Sequence, residues 1–386
     1  MVSTVGWDGA VADWAGFAPL ASDRTADACV VGLGASGLAA IEALLERGLS
    51  VVGVDAGRVA AGAAGRNGGF LIGGPELALH HAIERWGQAA VELYRATLRE
   101  LDKLADLLGP DVVRRVGSIR LAGLPGEPRS DAEAADRARE LADCAEQRTA
   151  LRANGIAVED YDGPLGRGLF LPDDAATNPA VRATRLASGL AARAALHEHT
   201  TVTRIEPKQV VTERGTVGAG VVIVAVDGRL DVLVPQLANS VRTARLQMLA
   251  TAPIDERLPC PVYGRWGYDY GQQLPDGRLF VGGGRDRFVD DEWTSDAEPS
   301  EPVQAYIETV AERLAGRPVQ VTDRWAASVG YTRDERPLCT TVADGVVAIG
   351  GYNGTGNLVG PVAARAAVAL ALDATTPPAY LNHLAG

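Results

Sequence analysis

The chain has 386 residues, which is long enough for two domains and a substantial core. Hydrophobic residues make up 47% of it and charged residues 22%, as in an ordinary globular protein, and the formal net charge is -12. That charge disfavours nucleic acid and anionic membrane surfaces as partners, and no apolar stretch is long enough to span a bilayer.

The cysteines are scattered along the chain. Cys29, Cys144, Cys260 and Cys339 form no Cys-x-x-Cys pair and have no histidines close to them in sequence. Neither a metal site nor a disulfide framework is therefore indicated. Isolated thiols are typical of a reducing compartment, so the sequence predicts a cytoplasmic protein.

The segment 28–55 has the pattern of a dinucleotide-binding unit. A short apolar strand is followed by Gly32, Gly34 and Gly37, which match G-x-G-x-x-G, and then by a helix. A second strand ends in Asp55, about 20 residues further on, where a carboxylate binds the ribose of an adenine nucleotide. An acid at this place disfavours the 2′-phosphate of NADP, so the pattern predicts NAD or FAD.

Two further stretches are rich in glycine. The stretch 57–69 is either a flexible loop or a segment laid closely along a flat ligand, and its place directly after the nucleotide unit favours the ligand. The stretch 350–357 leads into an alanine-rich helix over 358–372. That loop is either a plain turn, or it aims the helix N-terminus at a group that becomes negatively charged.

The remaining parts predict a second structural unit. An apolar stripe indicates a helix over 75–108, on which the adjacent His80 and His81 should point in two directions and so not share a metal. Alternating polar and apolar residues over 245–281 predict an antiparallel sheet. The aromatic residues at 263–270 fit a ligand pocket and a plain sheet face equally well.

Taken together, these motifs resemble the FAD-dependent oxidoreductases of the D-amino acid oxidase superfamily, in the branch of glycine oxidase, sarcosine oxidase and γ-glutamylputrescine oxidase. The resemblance covers nearly the whole chain. Besides the fingerprint ending in Asp55, it rests on Gly65-Arg66-Asn67-Gly68-Gly69, on Trp325-Ala326-Ala327 followed by 334–338, and on Gly351-Tyr352-Asn353-Gly354-Thr355-Gly356.

The resemblance implies a fold and a division into domains. The expected class is α/β, with an FAD-binding Rossmann-like domain and a second α+β substrate domain built on an antiparallel sheet. The discontinuous FAD-binding domain is predicted to comprise 1–74, 155–238 and 322–386. The substrate-binding domain is predicted to comprise 75–154 and 239–321.

The resemblance also implies a set of FAD contacts. Relatives with covalent FAD use a histidine near Ala63-Ala64 or a cysteine just before the Tyr331 strand, and neither is present here, so noncovalent FAD is expected. Val202 would contact the adenine through its backbone. The predicted cofactor-binding residues are Gly32, Gly34, Ala35, Ser36, Gly37, Asp55, Ala56, Gly65, Arg66, Asn67, Gly68, Gly69, Val202, Gly351, Gly354, Thr355, Gly356 and Asn357.

The chain departs from the family where the substrate binds. Relatives that bind an amino-acid carboxylate place arginines at positions that correspond here to Val329 or Gly330 and to Gly354. Burying a carboxylate without a cation costs several kcal/mol, so the departure favours an amine or a larger molecule, unless Arg265 or Arg242 substitutes. The predicted pocket residues are Arg265, Trp266, Tyr268, Tyr270 and Tyr352, and no catalytic base is assigned.

The implied reaction is oxidation of a C–N bond in an amine or amino acid. Hydride would pass from the substrate α-carbon to flavin N5 to give an imine, with reoxidation by O2 or another acceptor. The lysine that promotes reaction with oxygen in some relatives has no counterpart, since Lys103 and Lys208 lie outside the matching stretches. An NAD-dependent dehydrogenase and a flavin-holding protein without amine oxidation are the alternatives, and no oligomeric state is predicted.

Overall fold

The structure is a computed structural model that describes residues 3–255 and 258–383. The predicted domain spans also include 1–2, 256–257 and 384–386, which lie outside the described residues. The strands are β1 Arg24–Val31, β2 Val51–Val54, β3 Phe70–Leu71, β4 Ser118–Leu121, β5 Glu159–Gly163, β6 Gly166–Leu171, β7 Ala175–Ala176, β8 Ala195–His197, β9 Val202–Glu206, β10 Gln209–Thr212, β11 Gly215–Val224, β12 Val241–Thr251, β13 Val262–Gly264, β14 Asp269–Gln273, β15 Leu279–Gly282, β16 Val321–Thr332, β17 Leu338–Ala343 and β18 Val346–Gly350. The helices are α1 Ala35–Glu46, α2 Ala63–Arg66, α3 Leu79–Trp86, α4 Gln88–Leu108, α5 Asp131–Ala153, α6 Pro179–Leu190, α7 Leu230–Leu233, α8 Val289–Glu292, α9 Glu301–Ala315 and α10 Val359–Asp373.

The first sheet is built on parallel strands and has the order β17-β18-β11-β1-β2-β8, with the β9–β10 hairpin paired to β11. β1 runs parallel to both β11 and β2. Ala28 and Val30 face an apolar cluster that includes α1 and α10, whereas Cys29 and Val31 face a second cluster on the other side. Both faces are covered, which explains the unbroken apolar run of the strand. The carboxyl ends of β1 and β2 open at one edge, where ligands bind in such sheets.

The second sheet has the order β16-β12-β15-β14-β13-β4-β6-β5. As predicted, β12, β14 and β15 pair with their neighbours in antiparallel fashion, whereas β13 and β4 are parallel. Leu249 and Val281 pack in the cluster that includes α9, while Met248 and Phe280 face the cluster of the first sheet. The alternation in sequence therefore separates a helix-covered face from a face directed at the first sheet.

Two boundaries of the predicted domains differ from the strand pairing. β5 and β6 fall in the predicted 155–238 part of the FAD-binding domain, and β16 falls in the 322–386 part, but all three strands belong to the second sheet. The predicted helix over 75–108 is also interrupted, since Gly87 has φ 58 and separates α3 from α4. Short strand patterns do not identify their partners, which are selected by tertiary contacts.

Candidate active site

The glycines of the first turn meet two different requirements. Gly32 has φ +100, and a Cβ added to Gly37 would lie 1.8 Å from the carbonyl oxygen of Gly32, so both are needed for the turn to pack against the protein itself. Gly34 has an ordinary φ of -80, and a Cβ there would meet only Ala64 Cβ at 3.5 Å. The fold does not require this glycine. The open space above it suits the close approach of a pyrophosphate, beside the N-terminal N–H groups of α1, which include those of Ala35 and Ser36.

Asp55 is fixed beside this turn by two backbone donors. Its Oδ2 accepts from the Leu33 N–H at 2.7 Å and its Oδ1 accepts from the Gly57 N–H at 2.8 Å. Burial raises the pKa of Asp55, while these N–H groups favour its ionised form. A carboxylate offers about four acceptor positions, so two remain for ribose hydroxyls beside Ala56. Val202 begins β9 and packs in the same apolar cluster as Val54.

A reciprocal pair of amides joins the second and third glycine-rich segments. Asn67 Nδ2 donates to Asn357 Oδ1 at 3.1 Å, and Asn357 Nδ2 donates to Asn67 Oδ1 at 2.9 Å, although the two residues are 290 positions apart. Asn67 also donates to the carbonyls of α2, and Asn357 donates to the Phe70 carbonyl at 2.8 Å. We call this pair the Asn67–Asn357 clasp. It brings the two predicted flavin-binding segments to one place.

Further contacts attach the 65–69 segment to the second sheet. Trp325 Nε1 donates to the Arg66 carbonyl at 2.7 Å, and the Arg66 guanidinium donates to the Ala326 carbonyl at 3.3 Å. Gln272 of β14 is fully buried and donates to the Gly68 carbonyl at 2.5 Å. A Cβ on Gly65 would lie 2.2 Å from the Ala60 carbonyl oxygen, so that glycine is also required by packing.

The C-terminal glycine loop is held by a buried carboxylate that the sequence did not single out. Asp227 accepts from the N–H groups of Gly351 at 2.9 Å and of Gly330 at 3.1 Å, which ties the loop to the end of β11 and to β16. Burial raises the pKa of Asp227 to about 6. Within the described residues the N–H groups of Gly354, Gly356 and Asn357 have no acceptor. They are therefore available, with the start of α10, to a ligand of negative charge.

Two tyrosines lie against these glycine segments. A Cβ added to Gly68 would lie 3.0 Å from the ring of Tyr270, and a Cβ added to Gly354 would lie 3.6 Å from the hydroxyl oxygen of Tyr331. Burial raises the pKa of Tyr270 to about 12 and also raises that of Tyr331, so both hydroxyls stay protonated and can donate. Tyr331, on β16, was not among the predicted pocket residues.

The other predicted pocket residues lie elsewhere or are already paired. Arg265 makes ion pairs with Asp269 at 2.7 Å and Asp286 at 2.5 Å, so it is not the free cation that the sequence allowed. The Trp266 side chain is 41% exposed, on a short helical turn beside the sheet. Tyr268 is exposed at the same end of the sheet.

The prediction for Tyr352 is corrected, because Tyr352 packs in the core and does not lie with Tyr270 and Tyr331 beside the glycine segments. It is 4% exposed and belongs to the cluster of α1 and α10, and its ring lies 3.6 Å from a Cβ added to Gly360. The same added Cβ would lie 3.3 Å from Ser36 Cβ. The ring is therefore near the first turn. Its position follows from the chain direction at the start of α10, which the local sequence does not reveal.

Besides Arg265 and Arg242, the two predicted substitutes for a family arginine, the structure shows a third candidate, Arg285. The Arg285 guanidinium carbon lies 4.3 Å from the centre of the Tyr331 ring and 5.3 Å from that of Trp293, and Arg242 lies 4.1 Å from the same indole. The absence of arginine at the two matching positions therefore does not leave this region without a cation. Arg285 follows three glycines in a loop, where no sequence period indicates the direction of a side chain.

The adjacent histidines also differ from expectation. The sequence predicted that they point apart, but His80 Nε2 and His81 Nε2 lie 2.9 and 2.8 Å from the same Asp143 oxygen. Arg120 pairs with the second oxygen of Asp143. The rings converge because His80 and His81 lie in the first turn of α3, which packs against α5. The arginine supplies the charge that balances Asp143, and the group links α3 to α5 and β4.

Two properties concern the chain as a whole. The four cysteines are all free and buried, as the sequence predicted for thiols that form no disulfide. Across residues 3–255 and 258–383, no helix is both long enough and apolar enough to cross a membrane.

A parallel sheet with a glycine turn and an acid at its carboxyl edge, facing an antiparallel sheet, defines a dinucleotide-dependent oxidoreductase of the two-sheet flavoprotein type. The chain belongs to the family described as DAO, FAD dependent oxidoreductase, which it matches over residues 27–370. It is therefore an FAD-dependent enzyme, as the resemblance implied.

Several known proteins are similar to it. A probable oxidoreductase, OrdL, of Rhizobium meliloti strain 1021 is 27% identical over 95% of this chain and 88% of its own length. The gamma-glutamylputrescine oxidoreductase of Escherichia coli K12 is 28% identical over 70% of this chain and 67% of its own length. The crystal structure of glycine oxidase from Geobacillus kaustophilus superimposes with a TM-score of 0.71, with 20% identity, covering 92% of this chain and 96% of that one.

Proposed function

We propose that the protein uses noncovalently bound FAD to oxidise a C–N bond in an amine or amino acid, at the cleft beside Tyr270 and Tyr331. The Asn67–Asn357 clasp is the observation that carries this proposal. An NAD-dependent dehydrogenase shares the first glycine turn, but it has no need of the 65–69 segment or of the C-terminal loop. Among similar proteins, the names gamma-glutamylputrescine oxidoreductase, glycine oxidase and L-proline dehydrogenase support a nitrogen-containing substrate.

The residues present suit FAD at three places. The N-terminus of α1 and the space above Gly34 would hold the pyrophosphate, and Asp55 would hold the ribose. The segment 65–69 and the loop 354–357 would hold the flavin end. Bound FAD would supply an acceptor for the hydride at the α-carbon of a neutral amine. The iminium ion that remains would lose its proton to water and be hydrolysed.

The chain itself contributes orientation and charge stabilisation. The unpaired N–H groups at Gly354, Gly356 and Asn357 favour negative charge next to the start of α10. The neutral hydroxyls of Tyr270 and Tyr331 serve as donors in the cleft. No proton transfer by an assigned catalytic base is required, because an amine that binds in its neutral form needs only to be positioned.

The electron acceptor and the compartment are also proposed. Lys103 pairs with Glu42 at 2.8 Å, and Lys208 lies in the turn between β9 and β10, so neither described lysine is at the tyrosine cleft. We therefore propose reoxidation by O2 or by another acceptor, in the cytoplasm. We further propose that the first sheet carries the FAD and that the second sheet, with β5, β6 and β16, carries the substrate.

The test begins with the purified protein. We expect a yellow protein that releases FAD, and not FMN, into the supernatant when the chain is denatured by acid. Flavin that stays on the denatured chain would reject noncovalent binding. A panel of amines and amino acids added without oxygen should then bleach the flavin absorbance. A colourless, NAD-dependent enzyme or a yellow protein that no member bleaches would favour one of the two alternatives.

A further inference from the structure

The cleft beside Tyr331 contains a cation whose protein partners are all aromatic. Arg285 is half-buried, and its guanidinium lies over the rings of Tyr331 and Trp293. Within the described residues the Arg285 side chain makes no hydrogen bond or ion pair. Stacking occupies the face of a guanidinium and leaves the N–H groups at its edge free, in the planar fork that binds a carboxylate through two hydrogen bonds.

Neighbouring arginines are already used by the fold. Arg265 is paired with Asp269 and Asp286, and Arg245 is paired with the buried Glu292 at 2.7 Å. Arg114 donates to Gln272 Oε1 at 3.0 Å, and the buried Arg182 donates to the Asn357 carbonyl at 3.2 Å. These four arginines support the walls of the site. Arg285 and Arg242 are different, because neither guanidinium makes a hydrogen bond or ion pair within the described residues. Arg242 is exposed, whereas Arg285 is half-buried and also lies over Tyr331.

An acidic residue, Glu76, lies within electrostatic range of the same tyrosine. Desolvation and the nearby Glu335 raise the pKa of Glu76 to about 7, against the opposing effect of Arg285. Tyr268 and Tyr331 both experience the charge of Glu76. Glu76 and Arg285 do not form an ion pair with each other, whereas Arg85 does pair with Glu335. Arg285 therefore has no acidic partner among the described residues, although Glu76 lies within electrostatic range of it.

We propose that Arg285 binds a carboxylate of the substrate, so that the site selects an amine that also carries a carboxylate. This inference rests on the proposed function. It places the anion-binding residue on the loop after β15, and not at Val329, Gly330 or Gly354. Tyr331 connects the subsite to the C-terminal glycine loop, since its ring lies under Arg285 and its hydroxyl lies near Gly354.

The first experiment uses the flavin as a binding indicator and requires no turnover. Propionate is titrated into the FAD-loaded protein while the flavin absorbance is recorded. We expect a saturable spectral change in the wild type that Arg285→Ala weakens by about 100-fold, because removing one member of a charge pair costs several kcal/mol. Arg242→Ala is the matched control: it removes the other arginine that lies over Trp293 and should change the affinity less than about threefold.

The second experiment compares substrates. The rate constant of anaerobic flavin reduction divided by the apparent dissociation constant is measured for an amino acid and for the amine that lacks its carboxylate. We expect the wild type to prefer the amino acid, Arg285→Ala to lose that preference, and Arg285→Lys to recover part of it, because lysine keeps the charge without the fork.

The outcomes separate this inference from the proposed function. If no amine or amino acid reduces the flavin, the proposed function fails, while the propionate titration still tests Arg285. If the wild type prefers the amine without a carboxylate, or if Arg285→Ala binds propionate normally, the inference is wrong and the function stands. Equal losses in Arg285→Ala and Arg242→Ala would also overturn it, since they would indicate disturbed packing of Trp293.

Discussion

The cofactor edge and the substrate cleft of this protein are built in different ways. At the cofactor edge, the important positions lie in short contiguous motifs at 32–37, 65–69 and 351–357. In the proposed substrate cleft, single residues come from separate segments, namely Tyr270, Arg285 and Tyr331. The proposed cofactor contacts are made by glycines and backbone N–H groups, whereas the proposed substrate contacts are made by side chains, whose directions depend on sheet register and loop path. The first kind of site can be predicted from the sequence, whereas the second forms only when the chain folds.

The largest expected effect separates a glycine required by the fold from one required by the cofactor. In Gly37→Ala the new Cβ would lie 1.8 Å from the Gly32 carbonyl oxygen, so we expect a loss of more than about 3 kcal/mol in the free energy of unfolding. Gly34→Ala should change the stability of the apoprotein by only a few tenths of a kcal/mol, yet it should abolish tight FAD binding. Denaturant unfolding and FAD titration of both apoproteins measure the two effects. Equal destabilisation by the two changes would contradict the distinction.

A second prediction concerns the support of the cleft. Asp174 accepts from Ser118 Oγ at 2.6 Å and from the Gly73 N–H at 2.9 Å, and so holds the segment that leads to Glu76. Burial raises the pKa of Asp174 from 3.8 to about 7, so the folded state binds a proton that the unfolded state releases. Stability should therefore fall as the pH rises from about 4 to about 7, by up to about 4 kcal/mol.

Asp174→Asn tests this assignment because its amide keeps an acceptor for Gly73 and offers a donor to Ser118. The variant should have a flatter dependence of unfolding free energy on pH over the same range. Asp227→Asn is the control on the cofactor edge, where the pKa of about 6 predicts a narrower range of pH. If the unfolding free energy of Asp174→Asn depends on pH as steeply as that of the wild type, other groups cause the dependence.

The Asn67–Asn357 clasp provides a third test, since it is where the two regions meet. Asn67→Ala and Asn357→Ala each leave buried amide partners unsatisfied, so each should lower the unfolding free energy by about 3 kcal/mol. Because the residues bond to each other, the double variant should lose less than the sum, with a coupling energy of about 1 to 2 kcal/mol. Additive losses in the double-mutant cycle would show that the clasp does not act as a unit.

The smallest expected effect concerns the ribose. Asp55→Ala should weaken FAD binding by about 1 to 3 kcal/mol through loss of charge-assisted hydrogen bonds. Asp55→Asn keeps an acceptor for the N–H of Leu33 or Gly57 and should lose less FAD affinity. Comparison of the two variants separates the support of the turn from the contact with the nucleotide. Fluorescence titration of the apoproteins with FAD gives both affinities, and an Asp55→Ala variant with wild-type affinity would reject the role.

The fold class and the cofactor edge were predictable because both depend on local patterns. The apolar run at 28–31, the glycines at 32–37 and Asp55 are placed within one β-strand, turn and helix unit, whose geometry depends on neighbours in sequence. The domain boundaries at 155 and 322 stay a prediction. The pairing of β5, β6 and β16 in the second sheet was not predictable, since a strand pattern does not identify its partners.

The sequence by itself determined the nucleotide unit and the family, because glycine and chain spacing restrict where a backbone can go. The predicted cofactor contacts stay a prediction. Only the tertiary structure decided that Arg265 pairs with Asp269 and Asp286, that Tyr352 packs in the core, and that Arg285 lies over the ring of Tyr331. Whether a charged side chain is paired or free depends on residues far away in sequence. That long-range pairing is a property of the folded chain, and it decides which cation is left for a substrate.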